Sequence, residues 1–178
     1  NFISEFVREY LVNGSSLTIN WRIFGHCNHT HYAPMPVTKR FQYHNLTRDQ
    51  VKSIVRPQDV VKMISPHSVE LKDFVNRTDG DRGWRDTNRK YANYSLPLGN
   101  KNYDRPEDVA VLYHFRFKSL REWYWKSCVR LRWGTLHHPY HTCGLVPWAG
   151  EFFDDKPWQV LKSRVPKYAI YDEWTDYS

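Results

Sequence analysis

The sequence has few cysteines, no long apolar run and no dense block of one charge. Its three cysteines, Cys27, Cys128 and Cys143, form no Cys-x-x-Cys pair, which excludes a zinc ribbon and a thioredoxin-type site. No stretch approaches the roughly 20 apolar residues that a membrane helix needs. No run of five lysines or arginines occurs, so a basic tail is not indicated. An odd number of cysteines allows one disulfide and one free thiol, for instance with Cys128 bonded to Cys143, but the spacing leaves the pairing open.

The chain is rich in aromatic residues and in positive charge. Of its 178 residues, 16% are aromatic, including 8 Trp and 12 Tyr, which excludes a globally disordered chain. A domain of this length buries roughly 70% of the surface of its unfolded chain, so a real core is expected. The formal net charge of +7 predicts attraction to anionic partners such as phosphates, sulfated glycans and nucleotide sugars.

Five sequons favour a protein of the secretory-pathway lumen. Asn-x-Ser/Thr occurs five times, whereas ten Asn and twenty Ser or Thr in 178 residues would give about one such match by chance. Because the enzymes of N-glycosylation are luminal, the excess predicts glycans on the surface of the chain. The alternative is a compositional accident in a cytosolic protein. The predicted acceptors are Asn13, Asn28, Asn45, Asn76 and Asn93.

Strand and helix patterns alternate along the chain and predict an α/β fold. Residues 2–12 have helical spacing, and residues 17–23 alternate between apolar and polar as in a strand with one buried face. Three further strands are predicted, one of them long. Ser119 and Glu122 have the spacing of a capping box, and the following helix is expected to end at Gly134. The further strands cover residues 51–55, 60–64 and 109–117, and a last helix runs from about residue 155 to Pro166.

A long polar stretch at residues 76–105 separates the two halves of this pattern. It exceeds an ordinary connector in length, so we expect a functional surface loop there. Asp79 and Asp81 within it have the spacing of a metal-binding Asp-x-Asp pair. They follow a polar rather than an apolar segment, and a glycine-containing turn is the favoured interpretation.

The segment His114-Phe-Arg-Phe-Lys-Ser119 is the strongest candidate for chemistry. His114, Arg116 and Lys118 leave one side of the predicted strand just before a helix N-terminus, where unpaired amides attract anions. A pocket for phosphate or for an acidic sugar is the functional interpretation. The alternative is the exposed polar side of an edge strand.

Two histidine-containing segments are weaker candidates. The loop Gly25-His-Cys-Asn-His-Thr-His31 contains zinc-ligating residue types, but its spacing matches no standard zinc pattern, and a glycosylated surface loop is favoured. His67, in Ser65-Pro-His67, stands alone after a short predicted strand. An isolated histidine of this kind is more often structural than ligating.

Taken in order, five short motifs resemble the C-terminal half of glycosyltransferase family 92 and related family-2-like transferases. With the closing segments Asp154-Asp-Lys-Pro-Trp-Gln-Val-Leu161 and Val165-Pro-Lys-Tyr168, which also resemble the family, the similarity covers nearly the whole chain. The resemblance implies a partial GT-A-like fold, that of nucleotide-diphospho-sugar transferases, with a mixed sheet and flanking helices. The motifs are Trp21-Arg-Ile-Phe-Gly25, Lys39-Arg-Phe41, Val51-Lys-Ser-Ile-Val-Arg-Pro57, Ser65-Pro-His67 and His114-Phe-Arg-Phe-Lys-Ser119.

The resemblance also implies an activity and a set of site residues. Transfer would be inverting and would move a hexose, galactose favoured, from a nucleotide diphosphate sugar to a glycan hydroxyl, with a divalent cation, usually Mn²⁺. His67 matches the family's metal-binding histidine. Phe115 and Phe117 replace the usual tyrosines, and no Asp or Glu stands at a recognisable position for the general base. The resemblance implies donor- or acceptor-binding roles for His29, Arg40, His114, Arg116 and Lys118.

We therefore expect residues 1–178 to be the acceptor-side part of a single glycosyltransferase domain whose donor-binding half lies before Asn1. The isolated part is predicted to be inactive. The full-length enzyme is expected to be a type II membrane protein of the Golgi or ER lumen, with its anchor outside this chain and no nucleic-acid partner. The competing hypothesis is a basic binding module, without catalysis, for sulfated polysaccharide or nucleic acid.

Three exposed aromatic residues are candidates to face sugar rings, although each is more often simply a core residue: Trp84, Trp133 and Trp148.

Overall fold

A computed structural model describes residues 2–12, 14–65, 67–72, 83–90, 101–130 and 147–174. The chain divides into two compact units, and each is built from two segments. The first unit contains Asn1–Arg22 and Thr47–Leu112, and the second contains Ile23–Leu46 and Tyr113–Ser178.

Helices are short in both units. None of the helices in the described ranges is long and apolar enough to cross a membrane. Two of the short helices are of the 3-10 type, at Pro57–Asp59 and Pro166–Glu173. The α-helices are α1 (Phe2–Tyr10), α2 (Val37–Arg40), α3 (Leu120–Tyr124) and α4 (Lys156–Arg164), and a π-helical turn, Trp125–Arg130, continues α3.

The strands combine parallel and antiparallel pairing. The central strand, β1, pairs antiparallel with β3 and parallel with β6, which makes the sheet of the first unit mixed. This confirms the α/β class, with a mixed sheet and flanking helices. The strands are β1 (Ser16–Ile23), β2 (Tyr43–His44), β3 (Arg48–Val55), β4 (Val60–Ser65), β5 (Ser68–Leu71), β6 (Trp84–Arg85), β7 (Leu112–His114) and β8 (Phe152–Phe153).

Strand β1 is buried on both faces, so the prediction of a single buried face was wrong. Leu17 is fully buried as expected, but so are Thr18 and Asn20 on the opposite face. The Thr18 hydroxyl donates to the carbonyl of Arg85, and the Asn20 amide donates to carbonyls of β3 and of Asn102. Buried polar side chains are stable when hydrogen-bonded, and backbone carbonyls supply the partners here.

The first unit has an aliphatic core capped by one large ring. Val69 and Leu71 of β5 pack with Trp84 of β6, and Val55 and Val60 lie against them partly buried. Strand β4 pairs antiparallel with β5 and forms a two-stranded hairpin. Trp84 is only 1% exposed, so the core alternative, and not the sugar-facing one, applies to it.

The core of the second unit is aromatic. Phe24 stacks on Phe115 with ring centroids 4.6 Å apart and meets Tyr113 edge-on at 5.5 Å. Trp158 of α4 and Phe41 are both buried. The predicted last helix is confirmed as α4, which has Pro157 in its first turn and ends before Pro166.

The strand predicted over residues 109–117 is shorter than expected. Only Leu112–His114 is extended in a strand. The amide of Arg116 turns back to donate to the carbonyl of His114 at 3.0 Å, and Lys118 has a φ of 60°. A left-handed residue cannot continue a strand, so the chain leaves the sheet direction before it reaches the helix.

Ser119 begins α3 with the predicted capping box. Its hydroxyl accepts from the amide of Glu122, and the Glu122 carboxylate accepts from the amide of Ser119. After Tyr124 the helix widens into the π-helical turn, which the sequence pattern did not predict. The predicted end at Gly134 lies outside the described residues.

Candidate functional site

An open pocket of about 720 Å³ lies in the second unit, at the His114–Ser119 segment and the helix that follows. This volume falls within the range of small-molecule sites in proteins. Five of the lining side chains are cationic and one is a carboxylate. We call it the cation pocket, and it is lined by Tyr32, Phe115, Arg116, Phe117, Lys118, Arg121, Glu122, Tyr124, Trp125, Lys126, Val129 and Arg130.

Local geometry at residues 116–119 directs the chain along the pocket. Lys118 is held in the left-handed region, which is uncommon for a residue with a side chain and is often associated with functional sites. Ser119, fully buried, then caps α3. The segment therefore contributes Arg116 and Lys118 from an irregular stretch and Arg121 and Glu122 from the first turn of α3.

Among the described residues that line the pocket, Glu122 is the only carboxylate, and it is held by hydrogen bonds. Its Oε2 accepts from the Arg40 guanidinium at 2.5 Å and from the Ser119 hydroxyl at 2.7 Å. Burial raises the pKa of Glu122, but the hydrogen bonds from Arg40 and Ser119 outweigh this and hold the pKa below its usual value. Glu122 is therefore a stable anion that pairs with Arg40 and, at 3.9 Å, with Lys118.

The remaining cations have no such partner. Within the part of the chain that the structure describes, no carboxylate pairs with Arg116, Lys126 or Arg130. Burial lowers the pKa of the Lys126 ammonium, and the charges of Arg116, Arg130 and Lys118 lower it further. The ammonium donates one hydrogen bond, to the carbonyl of Arg116 at 3.3 Å.

Aromatic rings form the apolar part of the site. Phe117 meets Trp123 edge-on at 5.0 Å and Trp148 at 5.5 Å. Trp125 and Tyr124 on the pocket wall remain more than half exposed. Exposed rings beside cations are suited to a ligand that has both an apolar face and negative charge.

Three of the predicted site residues, His114, Arg116 and Lys118, lie in one segment of the second unit. Arg116 and Lys118 line the cation pocket. His114 contributes its backbone carbonyl, which accepts from the amides of Phe24 and Arg116, and its side chain is half-buried. The structure therefore brings two of the three side chains into one pocket.

His29 and Arg40 are buried beneath the site rather than exposed in it. The His29 ring bonds the carbonyl of Arg40 at 2.7 Å, and the His29 carbonyl accepts from the amide of Leu120 at the start of α3. Arg40, whose side chain is 3% exposed, pairs with Glu122 and lies 5.0 Å from the centre of the Tyr32 ring, and both of these residues line the pocket. His29 and Arg40 position the helix and its carboxylate.

His67, the predicted metal ligand, lies in the first unit. Its ring is 4.8 Å from the Trp21 ring, and its Nδ1 is 3.3 Å from the carbonyl of Val51. Burial lowers the pKa of His67, and the charge of Lys52 lowers it further. No group of three His, Cys, Asp or Glu side chains that could hold a metal ion occurs among the described residues, so those residues do not fit the divalent cation that the resemblance implies.

The cysteines and two sequons can also be placed. Cys128 is disulfide-bonded and Cys27 is a free thiol. This agrees with the alternative of one disulfide and one free thiol that the odd number of cysteines allowed. Asn28 is exposed in a turn with a φ of 60°, and Asn45 is half-buried. The remaining predictions fall outside the described residues: Asn13, Asp79, Asp81, Asn76, Asn93, Trp133 and Cys143.

The sequence interpretation missed the residues that α3 and the π-helical turn contribute. Arg121, Lys126 and Arg130 were not among the predicted site residues. A weak signal existed, because five cations recur at positions 116, 118, 121, 126 and 130 among exposed aromatic residues. Lys126 lies four residues after Glu122 and four before Arg130, so helical spacing places the three on one face, but it does not show that Arg116 and Lys118, which precede the helix, face the same pocket.

No protein-family model, curated protein or solved structure matches the chain.

Proposed function

We propose that the chain is the acceptor-side portion of a GT-A-like glycosyltransferase, and that the cation pocket binds sugar and phosphate groups of its substrates. The reaction would be inverting transfer of a hexose, galactose favoured, from a nucleotide diphosphate sugar to a glycan hydroxyl in the Golgi or ER lumen. One observation carries the proposal. Arg116 and Lys118 of the motif that resembles family 92 lie in a single pocket with exposed aromatic rings.

The chemistry of the pocket suits these substrates. A diphosphate leaving group carries several negative charges, which guanidinium and ammonium groups stabilise through charge-assisted hydrogen bonds. Sugar rings present apolar C–H faces, which pack on Trp and Tyr rings. A pocket of about 720 Å³ holds a sugar with its phosphates but not a folded partner.

Each pocket residue has a physical role in the proposal. Arg116 binds the anionic group of the substrate. Lys118, which pairs with Glu122, borders the binding site for that group. Glu122 is a positioning carboxylate rather than the general base, because its lowered pKa and its bond to Arg40 make it a weak proton acceptor. The divalent cation supplies charge neutralisation in enzymes of this type, and no step is assigned to it here.

Binding of UDP-galactose to the 178-residue chain tests the proposal. Saturation-transfer NMR should show contact from the sugar protons, and Arg116→Gln should weaken binding roughly tenfold because the diphosphate loses a cationic donor. Lys167→Gln is the matched control, because Lys167 is exposed in the same unit and outside the pocket. Transfer is expected only from a longer chain that includes the donor-binding half. Absence of binding by both chains would refute the proposal.

The imbalance of five cations to one carboxylate favours one second candidate, a module that binds sulfated polysaccharide without catalysis. Such binding is dominated by charge and falls steeply with salt. A sulfated oligosaccharide that binds with a strong salt dependence, while UDP-galactose does not bind at all, would favour the module.

A further inference from the structure

The π-helical turn Trp125–Arg130 divides its side chains between a pocket face and a buried face. Lys126, Val129 and Arg130 line the cation pocket, whereas Ser127 and Cys128 are buried. The Ser127 hydroxyl donates to the carbonyl of Trp123 at 2.7 Å, and Cys128 is fixed by its disulfide. π-helical turns are rare and frequently mark functional sites. This one presents two cations to the same space as Arg116.

All three cations line one pocket, and Lys126, whose ammonium is 3.3 Å from the carbonyl of Arg116, is repelled by the charges of the other two. The charges of Arg116 and Arg130 are among the causes that lower the pKa of Lys126. The cations lie near rings, with Arg116 and Lys126 each 5.9 Å from the centre of Trp123. Ring contacts orient a cation but do not neutralise it. Across the described ranges no carboxylate neutralises any of the three, so the cluster carries net charge at a cost to folding.

We propose that Arg116, Lys126 and Arg130 form a subsite for a tetrahedral oxyanion, a phosphate or sulfate group, attached to the sugar that occupies the cation pocket. The inference deepens the proposed function and rests on it for the sugar. It adds Lys126 and Arg130 as specificity-determining residues, with Ser127 as a positioning residue for the turn that presents them.

A multiply charged oxyanion is the ligand class that fits best. Its several oxygens can accept hydrogen bonds from two guanidinium groups and an ammonium at once. Its charge relieves the repulsion among the three cations, whereas a neutral sugar would leave that repulsion in place. Tyr124 and Trp125, exposed on the pocket wall, are placed to pack on the ring that carries the oxyanion.

The test is calorimetric titration of the 178-residue chain with inorganic pyrophosphate, UDP, UDP-galactose, galactose 6-sulfate and galactose. Pyrophosphate and at least one sugar oxyanion should bind, and Lys126→Gln and Arg130→Gln should each weaken binding roughly tenfold. Lys126→Arg keeps the charge and should retain most of the affinity, which separates charge from folding. Lys167→Gln and Arg164→Gln, exposed cations of the same unit outside the pocket, should have no effect.

Several results would overturn the subsite. Failure of both pyrophosphate and galactose 6-sulfate to bind would do so, as would an equal loss in the Lys167→Gln or Arg164→Gln controls. If UDP-galactose binds with full affinity to Lys126→Gln and Arg130→Gln, the subsite is refuted and the proposed function stands.

The charged probes distinguish the source of the oxyanion. If the binding of UDP and pyrophosphate depends on Lys126 and Arg130, the oxyanion that the subsite binds is the diphosphate of a donor. The same dependence for galactose 6-sulfate, with no binding of UDP-galactose, supports the subsite with a sulfated glycan as ligand and refutes donor binding in this pocket.

Discussion

Cations are used differently in the two units of this molecule. In the first unit they have protein partners: Arg56 donates to three backbone carbonyls, Arg22 pairs with Glu107 at 2.9 Å, and Lys101 pairs with Asp49 at 3.1 Å. The second unit also has paired cations, Arg40 and Lys162. It differs in that Arg116 and Arg130 line an open pocket and pair with no carboxylate among the described residues. The net charge of +7 is therefore partly structural and partly available to a ligand, and the neighbours of each cation decide which.

Tryptophans show the same contrast. Trp84 in the first unit is 1% exposed and packs on Val69 and Leu71, whereas Trp125 in the second unit is 55% exposed on the pocket wall. A buried ring contributes to stability through removal of apolar surface from water, and an exposed ring keeps that surface for a ligand. Trp84 therefore contributes to the core of the first unit, whereas Trp125 leaves apolar surface exposed on the pocket wall of the second.

The largest expected effect separates these two tryptophans. Trp84→Ala should lower the free energy of unfolding by about 4 kcal/mol, because it removes a buried ring and leaves a cavity. Trp125→Ala should change the free energy of unfolding by less than about 0.5 kcal/mol. Chemical denaturation followed by circular dichroism measures both. Equal losses in the two variants would contradict the contrast.

Arg56 gives the next largest effect. Its guanidinium donates to the carbonyls of Leu11, Val12 and Gly14, just after the C-terminus of α1, at 2.7, 3.2 and 2.9 Å. Arg56→Ala should cost about 2 kcal/mol of unfolding free energy, since these carbonyls lose a charged donor at the negative end of a helix.

Arg8→Ala is the matched control for Arg56→Ala. Arg8 is an exposed arginine in the last turn of the same helix. Its removal should cost under about 0.5 kcal/mol. Amide hydrogen exchange of α1 should accelerate in Arg56→Ala only. Unchanged exchange there would show that the helix end is held by other contacts.

Elements whose residue patterns lie within a few consecutive positions were predicted correctly from the sequence. The capping box of Ser119 and Glu122, the helix α4 bounded by two prolines, and the α/β class all follow from short-range spacing. The second buried face of β1 could not be predicted. Thr18 and Asn20 are polar, and the carbonyls that satisfy them belong to segments far along the chain.

The site was predictable only in part, for the same reason. Arg116 and Lys118 carry a motif and could be named from it. Arg40 was assigned to ligand binding, but the structure gives it a structural partner, Glu122, 82 residues away. Lys126 was missed because helical periodicity places it on one face with Glu122 but does not show which exposed face lines a pocket. Spacing identifies residues that share one segment, and contacts between distant segments decide what those residues do.

Replacing Glu122 tests how a buried ion pair of the second unit differs from an exposed one of the first. Glu122→Gln keeps the acceptor of the capping box but removes the charge opposite Arg40, whose side chain is almost fully buried. The expected loss is roughly 2 kcal/mol of unfolding free energy. Glu9→Gln removes the partner of Arg89 in a pair where both side chains are more than half exposed, and should cost under about 1 kcal/mol.

The same pair should give the protein a response to acid. The folded pKa of Glu122 lies below its usual value, so the unfolded chain binds more protons as the pH falls past that usual value. The stability from the pair is therefore complete above about pH 4.5 and is lost as the pH falls through the folded pKa. Denaturation curves of Glu122→Gln across this range should be flatter than those of the wild type. Parallel curves would show that Glu122 carries no net stabilisation.

The smallest expected effect compares one histidine from each unit. Burial lowers the pKa of His67 and the nearby charge of Lys52 lowers it further, whereas for His26 the causes are burial and His29. Stability from His67 is complete above its unfolded pKa, about 6.5, and is lost as the pH falls through the lower folded pKa, by less than about 1 kcal/mol. Lys52→Gln should raise the pKa of His67, measured by NMR of its ring protons, and leave that of His26 unchanged. An equal shift of both would mean that a change in overall charge, and not the neighbour in the first unit, sets the titration.

Addition of Mn²⁺ in the same experiment tests the metal role predicted from the sequence, because a bound paramagnetic ion would broaden the His67 signals selectively.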